Sequence, residues 1–98
     1  MIDLTQDDRS LVLRILKRFV PDAEIRAFGS RVTGTSKPWS DLDIAIVASA
    51  PVGLRLMAEI RDAFEESSLP FRVDLLDWNE ISQSFRQAIE SSGFELLR

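Results

Sequence analysis

A chain of 98 residues has the size of one small domain with a single modest core, which leaves no room for a separate substrate-holding unit. Having neither cysteine nor histidine, it excludes disulfides, zinc fingers, thiolate and imidazole metal sites, and Ser/His/Asp or Cys/His catalysis, so acid–base chemistry falls to carboxylates. The net charge of -4 disfavours tight binding to duplex nucleic acid; no stretch nears the roughly 20 apolar residues of a membrane span or reads as a leader, so a cytoplasmic location is the expectation.

In chain order, Thr5 with Asp8 resembles a helix N-cap, and Leu11, Ile15, Leu16 and Phe19 then recur at helical spacing until Pro21. "EIRAF" alternates apolar Ile25 and Ala27 with polar neighbours and runs into Gly29, which predicts a half-buried strand. "LDIAIV", from Leu42, is apolar on both faces after Asp43 and reads as a central strand. A helix is expected over about 52–67 from Leu56, Met57, Ile60 and Phe64, closed by "SSLP" ahead of a strand over 71–76. The last helix spans about 82–91, and Gly93 ends it, leaving "FELLR" as an extended tail able to pair at a sheet edge. This order gives an α/β (α+β) fold class: one domain over 1–98, with a small mixed sheet flanked by helices. Periodic apolar residues and Trp78 are assigned to packing. The charged face of the 52–67 helix is a solvated face, or a partner surface if an apolar strip adjoins it.

The chemistry concentrates in "GSRVTGTSKPWSDLDIAIV", residues 29–47. In a strand, residues i and i+2 point to one face about 6.5 to 7 Å apart, so Asp41 and Asp43 project together while Leu42, Ile44 and Ile46 face away. Two like charges near a core call for a cation between them, and oxygen-only ligands suit magnesium or manganese. The strand "FRVDLLDW" offers a third carboxylate. Phe71, Val73 and Leu75 share the core face; Asp77 shares their parity at the strand end, and Asp74 lies opposite, so Asp74 is chosen. Its bland alternative is an ion pair with Arg72.

Gly29 lets backbone approach a phosphate closely, and the amides opening a short helix at Ser30, with the Ser30 hydroxyl, would point at the anion. Arg31 and Lys37 either neutralise phosphate from this loop or are solvated loop cations. Residues 29–36 read G-x-x-x-x-G-T-S, but Thr35 stands where a P-loop needs its lysine, and that reading is rejected. Trp39 is assigned as a hydrophobic plug closing the loop, ahead of stacking on a base or touching a partner.

Gly29-Ser30 followed by Ser40-Asp41-Leu42-Asp43 and a later strand aspartate resembles the nucleotidyltransferases of the DNA polymerase β superfamily. The narrower resemblance is to the minimal nucleotidyltransferases, with G-S-x-A/V-x-G, a short gap and S-D-x-D, and it covers the chain from about Glu24 to the end. Carried over, Gly29 and Ser30 match the phosphate-binding pair, with Arg31 and Ser40 as further nucleotide-binding candidates. Asp41 and Asp43 match the metal-binding aspartates, and Asp74 matches the third metal-binding and catalytic carboxylate. The resemblance implies transfer of AMP from ATP to a hydroxyl with loss of pyrophosphate, assisted by magnesium ions. Minimal members are commonly encoded beside HEPN-type helical toxins, and some add AMP to a toxin tyrosine. The expectation is therefore an antitoxin that modifies its partner, as a hetero-oligomer or homodimer. The alternatives are a non-catalytic nucleotide-binding antitoxin that neutralises by binding, and a subunit acting on a small molecule or an RNA 3′ end.

Overall fold

The computed structural model describes residues 2–98. Helix α1 (Gln6–Phe19) leads into β1 (Glu24–Phe28), the single-turn helix α2 (Ser30–Thr33) and β2 (Leu42–Val47). Helix α3 (Leu54–Glu65), β3 (Val73–Asp77), a 3-10 turn over Trp78–Glu80, α4 (Gln83–Ser92) and β4 (Glu95–Leu96) complete it. The sheet order is β3-β2-β1-β4. Strands β1 and β2 run antiparallel, β4 runs antiparallel to β1, and β3 runs parallel to β2 after the α3 crossover.

Local chemistry sets the helix ends. The Thr5 hydroxyl accepts from the Asp8 amide at 3.1 Å, with Asp7 and Asp8 in the first turn of α1 and Lys17 and Arg18 in its last, each charge opposing the nearby end of the helix dipole. Ser82 caps α4 in the same way, its hydroxyl accepting from Phe85 N at 3.1 Å. Helix α3 begins at Leu54, later than its apolar spacing suggests, because the Asp77 carboxylate captures the preceding amides of Val52 at 2.7 Å and Gly53 at 3.3 Å. The same carboxylate accepts from Asn79 N and so winds the 3-10 turn, an element the apolar pattern does not announce.

Both faces of the sheet are covered, which explains the continuous apolar run of β2. On one face Ile25, Leu42, Ile44, Ile46 and Leu75 pack with Val12, Ile15 and Leu16 of α1 and Met57, Ile60 and Phe64 of α3. On the other, Ala45 meets Trp78 and Ile89, with Phe28, Val47, Leu76 and Phe94 around them. The tail pairs with β1 as expected, Arg26 opposite Leu96 and Ala27 opposite Glu95. Strand β3 starts at Val73 and not at residue 71; the Phe71 ring lies over the Arg31 guanidinium, whose Cζ is 4.1 Å from the ring centre. Among the described residues, no helix is long and apolar enough to cross a membrane.

Candidate active site

Sheet register assembles the acidic centre. Phe28 of β1 pairs with Asp43 of β2, and Asp43 pairs with Asp74 of β3, while Asp41 immediately precedes β2. Gly29 follows Phe28 with φ 79° and ψ -159°, a region of backbone space essentially closed to residues with a Cβ. A Cβ there would overlap Asp43 Oδ2 and lie 3.0 Å from its Cγ, so the main chain at Gly29 presses directly on this carboxylate. Burial, then the charges of Asp74 and Asp41, push the Asp43 carboxyl up from 3.8 to about 6. The charges of both neighbouring carboxylates are therefore felt at Asp43. They do not converge into a ready-made cage among the described residues, yet their chemistry fits a hard divalent cation: all-oxygen donors whose mutual repulsion a positive ion would relieve.

Helix α2 opens beside this cluster. Gly29 O accepts from Val32 N and Thr33 N, and Ser30 O from Gly34 N and Thr35 N. The N–H groups of Ser30 and Arg31 stand at the start of the helix, where no intrahelical acceptor exists, and Gly29 offers no side-chain cap. Free donors next to a carboxylate centre are what a cation-bound phosphate requires.

Arg31 is placed differently from the expected phosphate cation. It is only 4% exposed, and its guanidinium donates to Ser40 O at 3.0 Å, Asp3 O at 2.8 Å and Pro38 O at 3.1 Å. Its charge is spent fastening the loop between α2 and β2, a role that needs the distant Asp3 and is invisible in the local motif. Ser40 belongs to the same fastening: its carbonyl serves Arg31, and its hydroxyl accepts from Lys37 N at 2.8 Å. Trp39 is no plug. It is 73% exposed, with the Lys37 ammonium 5.9 Å from its ring. Asp77 is buried and consumed by the backbone amides described above, whereas Asp74 is exposed. The alternative partner of Asp74 is not engaged: among the described residues the ion pairs are Arg9–Glu95, Arg26–Glu24 and Arg31–Asp3.

Two concavities flank the centre. On the β1 side a pocket of about 300 Å³ is lined by Phe28, Gly29, Ser30, Thr33 and, from α4, Phe85 and Ile89. On the β3 side a groove of about 740 Å³ runs from Trp39 and Asp41 past Arg61 and Phe71 to Arg72 and Asp74. Phe85 and the groove residues Arg61 and Phe71 carry no motif, and only the sheet order brings them to the centre.

A glycine-serine turn leaving one strand is pressed against an aspartate of the next, with a second aspartate paired beside it on the third. Residues 9–95 match the family model for the nucleotidyltransferase domain, and the chain belongs to this family. A relative, Probable protein adenylyltransferase MntA of Haemophilus influenzae, is 44% identical over 88 residues, which make up 90% of this chain and 77% of the relative. Among solved structures, a toxin–antitoxin crystal structure with AMP-PNP superposes with TM-score 0.78 at 26% identity, covering 93% of this chain and 73% of the matched one. A chain in the solved structure of tri-AMPylated Shewanella oneidensis HEPN toxin in complex with MNT antitoxin shares the fold, with TM-score 0.73 at 24% identity, covering 95% of this chain and 71% of the matched one.

Proposed function

We propose that the chain is a metal-dependent adenylyltransferase that moves AMP from ATP to a hydroxyl of a partner protein, and that it serves as the antitoxin of a HEPN-type helical toxin. The observation that carries this reading is Asp43, held against the Gly29 backbone and electrically coupled to Asp41 and Asp74. A protein that only bound its partner would gain nothing by keeping a carboxylate in so unfavourable a place. The MntA relative and the toxin–antitoxin structures support the same activity and the same class of partner. We propose the cytoplasm as the place of the reaction, since no helix among the described residues is long and apolar enough to cross a membrane and the reading requires ATP.

The residues divide the work. Gly29 and Ser30 bind phosphate through close backbone approach and the open amides of α2. Asp41, Asp43 and Asp74 would hold magnesium or manganese, which when bound polarises the phosphate and lowers the pKa of the attacking hydroxyl. Asp74, the exposed member, accepts the hydroxyl proton as the acceptor oxygen bonds to the α-phosphorus; the bridge from the α- to the β-phosphate breaks, and pyrophosphate leaves with the electron pair.

Incubation of the chain with ATP radiolabelled at the α-phosphate, magnesium and the helical protein encoded beside it tests this directly. Radioactivity should appear on the partner and vanish in Asp41→Ala and Asp43→Ala. Variants that neutralise the partner as well as wild type, with no transfer by either, would establish the binding-only alternative.

A further inference from the structure

Resting on that function, we infer that Arg31 is a positioning residue for the reaction: it hangs the loop that carries Asp41 on the distant segment Ile2–Leu4, and so fixes the one carboxylate of the acidic centre that the sheet does not hold. Asp43 and Asp74 lie inside β2 and β3, opposite one another in the ladder, so backbone pairing sets where their side chains start. Asp41 stands outside, at the end of a stretch without regular structure that begins at Gly34. A functional carboxylate has to be held to about 0.5 Å, which a loose loop does not do.

Asp41 is tied from both sides. After it, Leu42 N donates to Arg72 O at 2.9 Å; before it, Arg31 Nε donates to Ser40 O at 3.0 Å. The same guanidinium reaches Pro38 O and Asp3 O. Asp3 returns the contact: its N–H donates to Arg31 O at 2.8 Å, and its carboxylate accepts from Ser36 Oγ, inside the loop, at 2.6 Å. Ile2 on one side of Asp3 is buried in the core and Leu4 on the other packs against it, so the bracket is itself anchored. Among the described residues, the remaining hydrogen bonds of 36–40 run within the loop, Lys37 N to Ser40 Oγ and Ser40 N to Lys37 O. Without Arg31 and Asp3 the loop keeps its turn but loses its attachment. The planar guanidinium serves three carbonyls from two segments while its face lies against Phe71, which leads into β3 and Asp74. A lysine ammonium, a point charge, cannot keep all of these directions at once.

Three readouts on the full chain test the inference: manganese affinity of the substrate-free protein by electron paramagnetic resonance, kcat for AMP transfer to the partner per folded molecule, and the fluorescence anisotropy of Trp39 in a Trp78→Phe background. Trp39 sits between the two loop carbonyls that Arg31 holds and reports whether the loop is attached. Arg31→Met should weaken manganese binding about tenfold and lower kcat by at least as much, the scale for losing a group that orients a metal ligand, and Trp39 anisotropy should fall. Arg31→Lys should lie between Arg31→Met and wild type in all three. Asp3→Ala removes only an exposed side chain, so it should stay folded and move each readout the same way by a smaller factor. Should Arg31→Met fail to fold, these two variants carry the comparison. Asp77→Ala, which loosens the far end of β3, should leave all three readouts at wild-type values. Wild-type manganese affinity and turnover in the folded Arg31 variants, an unchanged Trp39 anisotropy, no manganese binding by wild type, or equal losses in Asp77→Ala would overturn the inference. If manganese affinity follows the predicted order but wild type transfers no AMP, the transferase reading fails and the positioning role stands. If wild type and the Arg31 variants transfer AMP equally well, the positioning role fails alone.

Discussion

Replacing Asp43 by asparagine should stabilise the cation-free protein above pH 6 while removing a group the reaction needs. The folded carboxyl sits at about 6 against 3.8, so the folded state holds this proton more tightly than the unfolded chain. Stability from the neutral carboxyl is complete below pH 3.8 and is lost as pH rises through about 6. Above that, wild type bears the cost of an ionised carboxylate crowded by Asp41, Asp74 and the Gly29 backbone, and an asparagine of the same shape does not. Direct conversion of the pKa difference gives about 3 kcal/mol; Asp43 keeps some contact with water, and screening reduces this to about 1 kcal/mol. For a domain of this size, that is a rise in Tm of about 4–8 °C. Thermal unfolding followed by circular dichroism in EDTA should show the gain at pH 8 and almost none at pH 4. Magnesium with a non-hydrolysable ATP analogue should narrow the gap by stabilising wild type more than Asp43→Asn. Equal Tm values at pH 8 in EDTA, or an equal gain at both pH values, would refute the reasoning.

Other substitutions separate scaffold from chemistry. Gly29→Ala should lose about 1–3 kcal/mol in urea unfolding from its backbone conformation alone, and with the displaced Asp43 it should lose transfer as well. Arg31→Met strips the donor shared by Ser40 O, Asp3 O and Pro38 O, and urea unfolding should record a loss of about 2–3 kcal/mol. Asp77→Ala leaves the Val52, Gly53 and Asn79 amides without their acceptor; it should cost about 1–3 kcal/mol while the folded fraction keeps its turnover. Asp74→Ala should do the reverse, with stability within about 1 kcal/mol of wild type and AMP transfer abolished.

The fold was legible wherever period and punctuation agreed. Leu11 to Phe19 with the Thr5 cap, the alternation of "EIRAF" and the doubly apolar "LDIAIV" each matched one element, since burial on one face or two leaves a distinct pattern. The facing of the carboxylates was legible too, because parity within each strand turns Asp43 and Asp74 away from the apolar face that Asp77 shares; their juxtaposition was not, because it needs the pairing of β2 with β3. Side chains whose partners lie far along the chain were not. Arg31 reads as a loop cation until Asp3 and Phe71 are brought to it, and Trp39 reads as a plug because nothing local shows that Arg31 pins the carbonyls on either side of it. The late start of α3 has the same origin, a carboxylate from Asp77 reaching amides some two dozen residues upstream. Pattern reports burial, while long-range polar bonding has no period to read.

Intact-mass spectrometry of the helical partner, purified after co-expression with this chain, tests the central claim most directly. The account predicts a partner heavier by one or more whole AMP units with wild type and of unmodified mass with Asp43→Asn, the variant that is more stable in the absence of cation. An unmodified partner in both cases, or an equally modified one, would contradict it.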